Sequence, residues 1–359
     1  MTALNMIFMY RASNLGGRLT LTPTCDRKLV AMVYLAIPTL TMVFLSGWGD
    51  LLAQDTVSIT EWHVPWANTR PRDPYVDHRG RVWFVGQQGD YVAYLEPESG
   101  QFRRFDLADG TGPHNLIVGL DGSVWYAGNR NAHIGRLDPE TGEIERYPLP
   151  NPARDPHTLV FDSHGDIWFT VQRGNFVGKL SVTSGEIRLV RVPTPRARPY
   201  GVVIDSNNRV WVALFGTNKL ATIDPTTMVL EEITLPNEGA RPRRIVATSD
   251  GLVWYVDYAR GYLGQLDPVS HSIVEWAMPG GRASLPYGMV ADDRNRIWIV
   301  ATGLRPNTLV GFEPAVSDFT SATAIPSGGG SVRHMFYQTS TREIWFGTDT
   351  NYIGRASVP

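Results

Sequence analysis

Seven tryptophans recur in one local context and divide most of the chain into units of nearly equal length. Each lies between β-branched or aromatic residues, as in Val82-Trp83-Phe84 and Ile167-Trp168-Phe169. The seven are Trp83, Trp125, Trp168, Trp211, Trp254, Trp298 and Trp345. They are spaced by 42, 43, 43, 43, 44 and 47 residues. A period of this length indicates a repeat architecture, in which each unit buries its core against its neighbours.

Within each unit, short apolar runs alternate with turn signals about every ten residues. A Pro-x dipeptide opens the first run, and an Asp-x-x-Gly or Asp-x-x-Asn turn such as 162–165 leads into the tryptophan run. Two further runs follow, as at 134–137 and 143–149. Runs bounded in this way are typical of β-strands. Four antiparallel strands repeated seven times predict an all-β fold, a seven-bladed β-propeller.

A propeller of this kind needs a strand that closes the ring, and the start of the repeat region supplies one. The seventh unit ends at 353–356 (IGRA) without a fourth run. Segment 59–65 (ITEWHVP) copies the fourth run of the fifth unit, 273–279 (IVEWAMP). We therefore expect the N-terminal strand to complete the last blade and to remove the open edge of the ring.

The first 53 residues form a separate segment. Four basic residues precede an uncharged stretch at 29–49, which is followed by Leu51-Leu52-Ala53. This order is typical of a secretory signal peptide. An N-terminal membrane anchor is the alternative, because the stretch is longer than the usual core of a signal. Residues 54–359 are then a single propeller domain, which we expect to be periplasmic or secreted.

Composition excludes several classes of function. The 33 basic and 35 acidic residues leave a net charge of −2, so no nucleic-acid partner is indicated. The only cysteine, Cys25, lies before the apolar stretch, so the propeller has no disulfide. The sequence has no phosphate-binding loop, serine nucleophile elbow or zinc-ligand spacing. We expect a monomer that meets a membrane only through an uncleaved N-terminus.

One position of the repeat is polar in every unit. The residue eleven before each tryptophan starts the innermost strand, so these side chains should surround one end of the central channel, here called the mouth. They are Arg72, His114, His157, Tyr200, Arg243, Tyr287 and His334. A packed core would use valine, isoleucine or leucine, whereas converging polar groups are typical of a ligand site. The alternative is that they are ordinary surface residues at strand starts.

Four of these residues are candidates for substrate binding: Arg72, Arg243, Tyr287 and His334. Guanidinium groups pair with carboxylate, ester carbonyl or phosphate oxygens. We therefore expect a small-molecule substrate or ligand that is anionic or contains an ester.

The repeated unit resembles that of the virginiamycin B (streptogramin B) lyase family. The segments 198–202 (RPYGV), 134–137 (IGRL) and 145–150 (ERYPLP) carry the resemblance best, and it extends over all seven units. It implies a seven-bladed propeller and a magnesium-assisted elimination that opens a cyclic depsipeptide without consuming water. In that family a Pro-His turn, a Glu-Pro-His turn and a Pro-Tyr turn of three consecutive blades contribute to the site.

Three consecutive units of this chain show a similar order, at His114, at Asp155 to His157 and at Tyr200. The resemblance implies that His157 is the base that takes the α-proton, since an imidazole titrates near neutral pH. It assigns His114 to proton donation or orientation, and Tyr200 to a hydrogen bond with a carbonyl oxygen. Asp155 replaces the glutamate of the family and is the candidate ligand for Mg²⁺.

The match is rotated around the ring, and it departs from the family in two residues. Asp155 replaces a glutamate and reaches less far towards a metal, and the carboxylate that should follow Trp168 is missing. Mg²⁺ prefers several oxygen ligands, so its site loses one. Sugar-lactone hydrolases on related propellers use a Glu, Asp and Asn cluster around calcium, and the mouth position has none.

We favour a carbon–oxygen lyase that acts on a cyclic ester or lactone, with Mg²⁺ as the implied cofactor. A non-catalytic propeller that binds a small anionic ligand or a partner protein at the same mouth is the alternative. The number of carboxylates at the mouth separates the two, because catalysis with Mg²⁺ needs two and the ring position supplies only Asp155.

Overall fold

The computed structural model describes residues 57–359; the predicted signal peptide or anchor, residues 1–53, lies outside the described residues. Residues 57–359 form seven antiparallel sheets of four strands each. The first strand of each sheet contacts the first strands of the two neighbouring sheets, so seven innermost strands surround one axis. The predicted all-β, seven-bladed propeller is confirmed. Within the described part, no helix is long and apolar enough to cross a membrane.

The strands of blades 1 to 4 run from the axis outward. Blade 1 contains β2 (Pro71–Val76), β3 (Val82–Gly86), β4 (Tyr91–Glu96) and β5 (Gln101–Asp106). Blade 2 contains β6 (Pro113–Val118), β7 (Val124–Gly128), β8 (His133–Leu137) and β9 (Ile144–Pro148). Blade 3 contains β10 (Pro156–Phe161), β11 (Ile167–Val171), β12 (Phe176–Leu180) and β13 (Ile187–Arg191). Blade 4 contains β14 (Pro199–Ile204), β15 (Val210–Leu214), β16 (Lys219–Ile223) and β17 (Leu230–Thr234).

Blades 5 and 6 follow the same plan, with one 3-10 turn (Gly281–Ser284) between them. Blade 5 contains β18 (Pro242–Ala247), β19 (Val253–Asp257), β20 (Tyr262–Leu266) and β21 (Ile273–Ala277). Blade 6 contains β22 (Pro286–Ala291), β23 (Ile297–Ala301), β24 (Thr308–Glu313) and β25 (Asp318–Ala324). Blade 7 contains β26 (Met335–Gln338), β27 (Glu343–Gly347), β28 (Tyr352–Ser357) and, outermost, β1 (Ser58–His63).

The N-terminal strand closes the ring, as the sequence predicts. β1 pairs antiparallel with β28, with Trp62 opposite Ile353. The indole of Trp62 also stacks on that of Trp345, with ring centroids 5.5 Å apart. Backbone pairing and aromatic stacking together attach the first described strand to the last blade, so that no blade is left with three strands.

The repeated tryptophans lie in the interfaces between blades. Seven apolar clusters are present, and each contains one tryptophan of one blade together with residues of the next. Trp168 of blade 3, for example, packs with Val202 and Val210 of blade 4. All seven indoles are buried. Burying a large aromatic side chain at every interface is the main apolar contribution that one blade makes to the next.

In four blades the aspartate of the turn also accepts a hydrogen bond from the tryptophan that follows it. In blade 3, Asp162 accepts the backbone N–H of His164 at 2.9 Å and the indole N–H of Trp168 at 3.0 Å. The same bond recurs in blades 1, 4 and 6 from Trp83, Trp211 and Trp298, and blade 5 substitutes Thr248 as the acceptor for Trp254. One side chain therefore shapes the turn and orients the interface.

Blade 7 departs from the others in register. In blades 1 to 6 the innermost strand is irregular near its start, and the partner of each tryptophan lies eight residues before it, as Val160 does for Trp168. β26 pairs regularly, and the partner of Trp345 is Phe336, nine residues before it. Blade 7 thus has one residue fewer than the other blades near the mouth and one residue more in the turn between β26 and β27. The residue eleven positions before Trp345, His334, therefore still lies at the mouth.

Candidate active site

The predicted mouth residues lie at the start of the innermost strands. In blades 1 to 6 each is the second residue of its strand, and in blade 7 His334 directly precedes β26. Five of the seven form a chain of direct contacts across blades 2 to 6, made by His114, His157, Tyr200, Tyr287 and Arg243. Arg72 and His334 start the corresponding strands of blades 1 and 7, and Arg72 donates to the buried carboxylate of Asp73 described below. The structure therefore brings all seven to one end of the channel.

Three aromatic side chains of neighbouring blades form a row. The imidazoles of His114 and His157 have centroids 3.6 Å apart, and His157 lies 4.0 Å from the phenol ring of Tyr200. The Tyr200 hydroxyl is hydrogen-bonded to the hydroxyl of Tyr287. His157 is 2% exposed and Tyr200 is 3% exposed. The row is thus a packed wall of the mouth and not a set of free surface groups.

The histidines of the mouth are held neutral. Burial, followed by the charges of Arg72 and Arg244, lowers the pKa of His114 and of His157 well below 6.5. For His334, burial and Arg244 lower the pKa to about 3. An imidazolium would add a cation to a site that already contains buried guanidinium groups, which is unfavourable in a medium of low dielectric constant.

The imidazole of His157 is hydrogen-bonded through one of its nitrogens. Its Nδ1 lies 2.8 Å from the hydroxyl of Thr158, and that hydroxyl accepts a bond from Arg244 Nη1 at 3.2 Å. A hydroxyl has one proton and two acceptor sites, so this arrangement is compatible with either tautomer of the neutral ring. Thr158 thereby ties the position of the imidazole to that of Arg244.

A second layer of polar groups, which the sequence pattern of the mouth did not predict, lies beneath the mouth. Asp73, 1% exposed, accepts from Arg72 at 2.9 Å, from Asn115 at 3.1 Å and from Arg244 at 3.4 Å. Burial alone would raise the pKa of Asp73, but the adjacent guanidinium groups lower it well below its usual range. The residues of this layer lie ten positions before the tryptophans of blades 1, 2, 3 and 5, and they are Asp73, Asn115, Thr158 and Arg244. Counting back ten residues instead of eleven therefore identifies the layer from the sequence.

Arg244 connects blades across the channel. From blade 5 it donates to Thr158 of blade 3, to Asp73 of blade 1 and, through Nε at 2.9 Å, to the backbone carbonyl of Arg333 before blade 7. These three bonds use donors of a single planar group, which fits several acceptors at once. Arg244 and Asp73 thereby form the floor of the mouth.

Arg243 lies among aromatic rings instead of carboxylates. Its guanidinium carbon is 3.6 Å from the ring centroid of Tyr287, 4.3 Å from that of Tyr258 and 4.6 Å from that of Phe215. Its Nε is buried and has no hydrogen-bond partner within residues 57–359. The phenols of Tyr200, Tyr287 and Tyr258 are the main groups that favour its charge and raise its pKa. The cation is thus held in place without a carboxylate.

Arg72 also keeps a donor free. Its Nε donates to Asp73 and its Nη1 to Gln87 at 3.1 Å, whereas Nη2 is buried and unpartnered among the described residues. An unpaired buried N–H is costly. Together with Arg243 Nε, this atom marks the mouth as a place where oxygen atoms of a ligand would be stabilised.

The residues of the mouth do not offer Mg²⁺ a suitable set of ligands. The two carboxylate oxygens of Asp155 accept backbone N–H groups of Arg173 (2.8 Å) and Gly174 (3.2 Å), in the loop between β11 and β12. Asp73 is engaged with two arginines. Across residues 57–359, no three His, Cys, Asp or Glu side chains are grouped so as to hold a metal. The reaction proposed below therefore uses only side chains of the mouth.

A cavity of about 880 Å³ lies beside blades 1 and 7, around the turns that follow β2, β4 and β26. It is lined by charged groups that pair with one another, including Arg79 with Glu140 at 2.8 Å and Arg355 with Glu343 at 3.2 Å. The mouth is the better candidate for chemistry, because two of its arginine donors are buried and unpaired within residues 57–359.

Comparison with known proteins gives one family and a set of related folds. A model described as the Virginiamycin B lyase family matches residues 47–305. The structure of virginiamycin B lyase from Staphylococcus aureus superposes with a TM-score of 0.77 and 22% identity, covering 84% of this chain and 100% of that chain. A streptogramin B lyase structure gives 0.76 and 23%, covering 84% and 98%.

A third structure is a catalytically inactive histidine-to-alanine variant of the S. aureus enzyme with quinupristin. It gives a TM-score of 0.77 at 22% identity and covers 84% of this chain and 100% of that chain. At these identities the structures show the fold. A search of curated protein sequences gives no match.

Proposed function

The chain belongs to the virginiamycin B lyase family, and from this premise we propose that it is an exported carbon–oxygen lyase that opens a cyclic ester or lactone at the mouth. One observation carries the proposal. Unpaired buried donors of Arg72 and Arg243 lie in the same ring as a row of two histidines and a tyrosine. Oxygen-binding donors beside groups that exchange protons are what an ester elimination requires.

The proposed reaction is a β-elimination. A base of the mouth takes a proton from the carbon next to a carbonyl group. The C–H electron pair forms a carbon–carbon double bond, and the bond from the neighbouring carbon to the ester oxygen breaks. The acyl group leaves as a carboxylate, and no water is consumed. Arg72 and Arg243 would stabilise this carboxylate as its charge develops.

The other mouth residues would bind and orient the substrate. His114 and His157 are neutral and packed, so they suit hydrogen bonding to a polar substrate. Tyr287 and His334 line the rest of the opening, and His334 has an unpartnered Nδ1 within the described chain. The proposed location is the periplasm or the outside of the cell, as a monomer. Mg²⁺ stays a prediction, tested by calorimetric titration of Mg²⁺, Mn²⁺ and Ca²⁺.

The product mass tests the reaction. Full-length protein would be incubated with streptogramin B and with a panel of cyclic depsipeptides and lactones. Elimination opens the ring without any change in mass, whereas hydrolysis adds one water. We expect Arg243→Met to lose activity and Arg188→Met, at an exposed site of blade 3, to keep it. Opened products that have gained water, or an Arg243→Met variant with wild-type activity, would contradict the proposal.

The second candidate is a non-catalytic propeller that binds an anionic ligand or a partner protein. The packing of the mouth favours it, because the histidine and tyrosine rings contact one another and leave little room between them. In that case a carboxylate ligand would raise the Tm of the wild-type protein but not that of Arg243→Met. The ligand would also be recovered chemically unchanged. Size-exclusion chromatography distinguishes the two kinds of ligand, because a bound protein partner shifts the elution volume and a bound small molecule does not.

A further inference from the structure

We propose that Tyr200, ionised as a phenolate beside Arg243, is the proton acceptor of the mouth, with Tyr287 as the group that holds it in position. The inference rests on the proposed lyase function, and it changes the assignment of the base from His157 to Tyr200. The first support for this inference is the number of buried arginines compared with the number of carboxylates that pair with them. Arg72 and Arg244 share the single carboxylate of Asp73, and Arg243 has none.

A buried cation without a counter-charge is strongly unfavourable. The side chains that surround Arg243 and are able to carry a negative charge are tyrosines. Its guanidinium carbon lies 3.6 Å from the ring centroid of Tyr287 and 5.1 Å from that of Tyr200. Ionisation of one phenol would supply the missing charge without any rearrangement of the chain.

The hydrogen bond between Tyr200 and Tyr287 allows one ionisation and no more. A phenolate accepts a charge-assisted bond from a neighbouring phenol, which stabilises the pair with a single proton between two oxygens. The charged and titratable groups that face Tyr200 are Arg243, Arg244, Arg72, Tyr287 and His157. Three of these groups are cations, and two of them, Arg72 and Arg244, share the carboxylate of Asp73.

The same surroundings explain which phenol ionises. Burial acts to raise the pKa of Tyr200, but the three arginines and the bond from Tyr287 bring this pKa below its ordinary value of 10. Burial and the adjacent negative charge of Tyr200 raise the pKa of Tyr287. Tyr200 is therefore the acceptor of the pair, and Tyr287 keeps its proton and donates.

His157 is a poor base at this place. One of its ring nitrogens, Nδ1, is already engaged with the Thr158 hydroxyl, which also accepts from Arg244. Taking up a second proton would create a cation beside Arg244 and Arg72. Its imidazole instead packs on the face of Tyr200, 4.0 Å between centroids, and fixes the direction of the phenol.

The proposed step keeps the charge of the mouth constant. The phenolate oxygen of Tyr200 takes the α-proton, the double bond forms and the acyl group leaves as a carboxylate. One negative charge thereby moves from the phenolate to the departing carboxylate, and Arg243 retains one anionic partner throughout. When the product leaves, Tyr200 returns its proton to solvent and the phenolate is restored.

Ultraviolet absorbance tests the ionisation without a substrate, because tyrosinate absorbs at longer wavelengths than tyrosine. We would titrate the full-length protein upward in pH and expect one tyrosine to ionise before the others. The step should be lost in Tyr200→Phe and should move to higher pH in Arg243→Met. Tyr337→Phe is the matched control, since burial and its bond to Asp293 raise the pKa of Tyr337 to about 12.

A wild-type titration curve in Tyr200→Phe overturns the inference. So does a folded Arg243→Met protein whose early step has not moved, and circular dichroism confirms folding in each variant. With a substrate in hand, we expect Tyr200→Phe to lower kcat by about 10²–10⁴-fold with little change in KM. If kcat is unchanged, the inference fails and the lyase proposal stands. If the early step is present but no substrate is opened, the lyase proposal fails instead.

Discussion

The interfaces between blades and the channel that they surround follow opposite rules. Every interface contains one buried tryptophan in an apolar cluster, repeated seven times with little change. Along the channel, equivalent positions hold unlike residues, with Asp73, Asn115, Thr158 and Arg244 in four different blades. The uniform interfaces fix the ring, so the channel positions are free to differ. The comparison teaches that the chemistry of a repeat protein is found where its repeats disagree.

The largest expected effect comes from removing the carboxylate that Arg72 and Arg244 share. Asp73→Ala leaves Arg72 and Arg244 buried without their shared partner. Breaking a buried ion pair in this way costs about 3–5 kcal/mol of unfolding free energy. Urea denaturation would measure the loss, with the exposed Asp109→Ala as a control that should unfold like the wild type. If Asp73→Ala costs less than about 1 kcal/mol, the channel is not a network of this kind.

A smaller effect is expected from pH. The folded-state pKa values of His114 and His157 lie well below 6.5, near which they titrate when unfolded. The unfolded chain therefore binds more protons below pH 6.5. Stability is complete above this pH and is lost as the pH falls, by about 1.4 kcal/mol per pH unit for each histidine.

Urea denaturation at several pH values between 5 and 7.5 measures this slope. Replacing both histidines by phenylalanine should flatten it, whereas His271→Ala, at an exposed turn, should leave it as it is. An equal slope in the double variant would show that these two histidines are accessible to protons in the folded protein.

The smallest effect tests the interfaces themselves. The indole N–H of Trp168 donates to Asp162, whereas that of Trp345 is buried and has no partner within residues 57–359. Trp→Phe removes the same atoms at both positions. We expect Trp168→Phe to cost about 1–2 kcal/mol more than Trp345→Phe, because only the first breaks a bond to a charged group. Equal costs in thermal unfolding would show that the aspartate contributes to the turn alone.

Much of the fold could be predicted from the sequence because every blade repeats the same pattern of short strands, turns and one tryptophan. The tryptophan and the turn aspartate report on the same interface, since Asp162 bonds to Trp168 directly. The irregular pairing near the start of the innermost strands left no sequence signal. The register of blade 7 was equally hidden, although the 47-residue step before Trp345 marks that blade as unusual.

The candidate site could be predicted in part. The residues around the mouth are equivalent in sequence, so a count from the tryptophan finds them. The bond between Arg244 and Asp73 joins residues 171 positions apart, and no local pattern shows that a side chain crosses the channel. The pairing of Asp155 with the backbone of its own blade is equally invisible, because it depends on a loop conformation.

Closure by β1 also sets the order in which the molecule can fold. Its residues are synthesised before those of the other blades, yet they pair with β28, about 300 residues later in the chain. Joining such distant segments costs more chain entropy than forming any single blade, whose strands follow one another directly. The first strand therefore has no partner until β28, the last strand of the chain, has been synthesised.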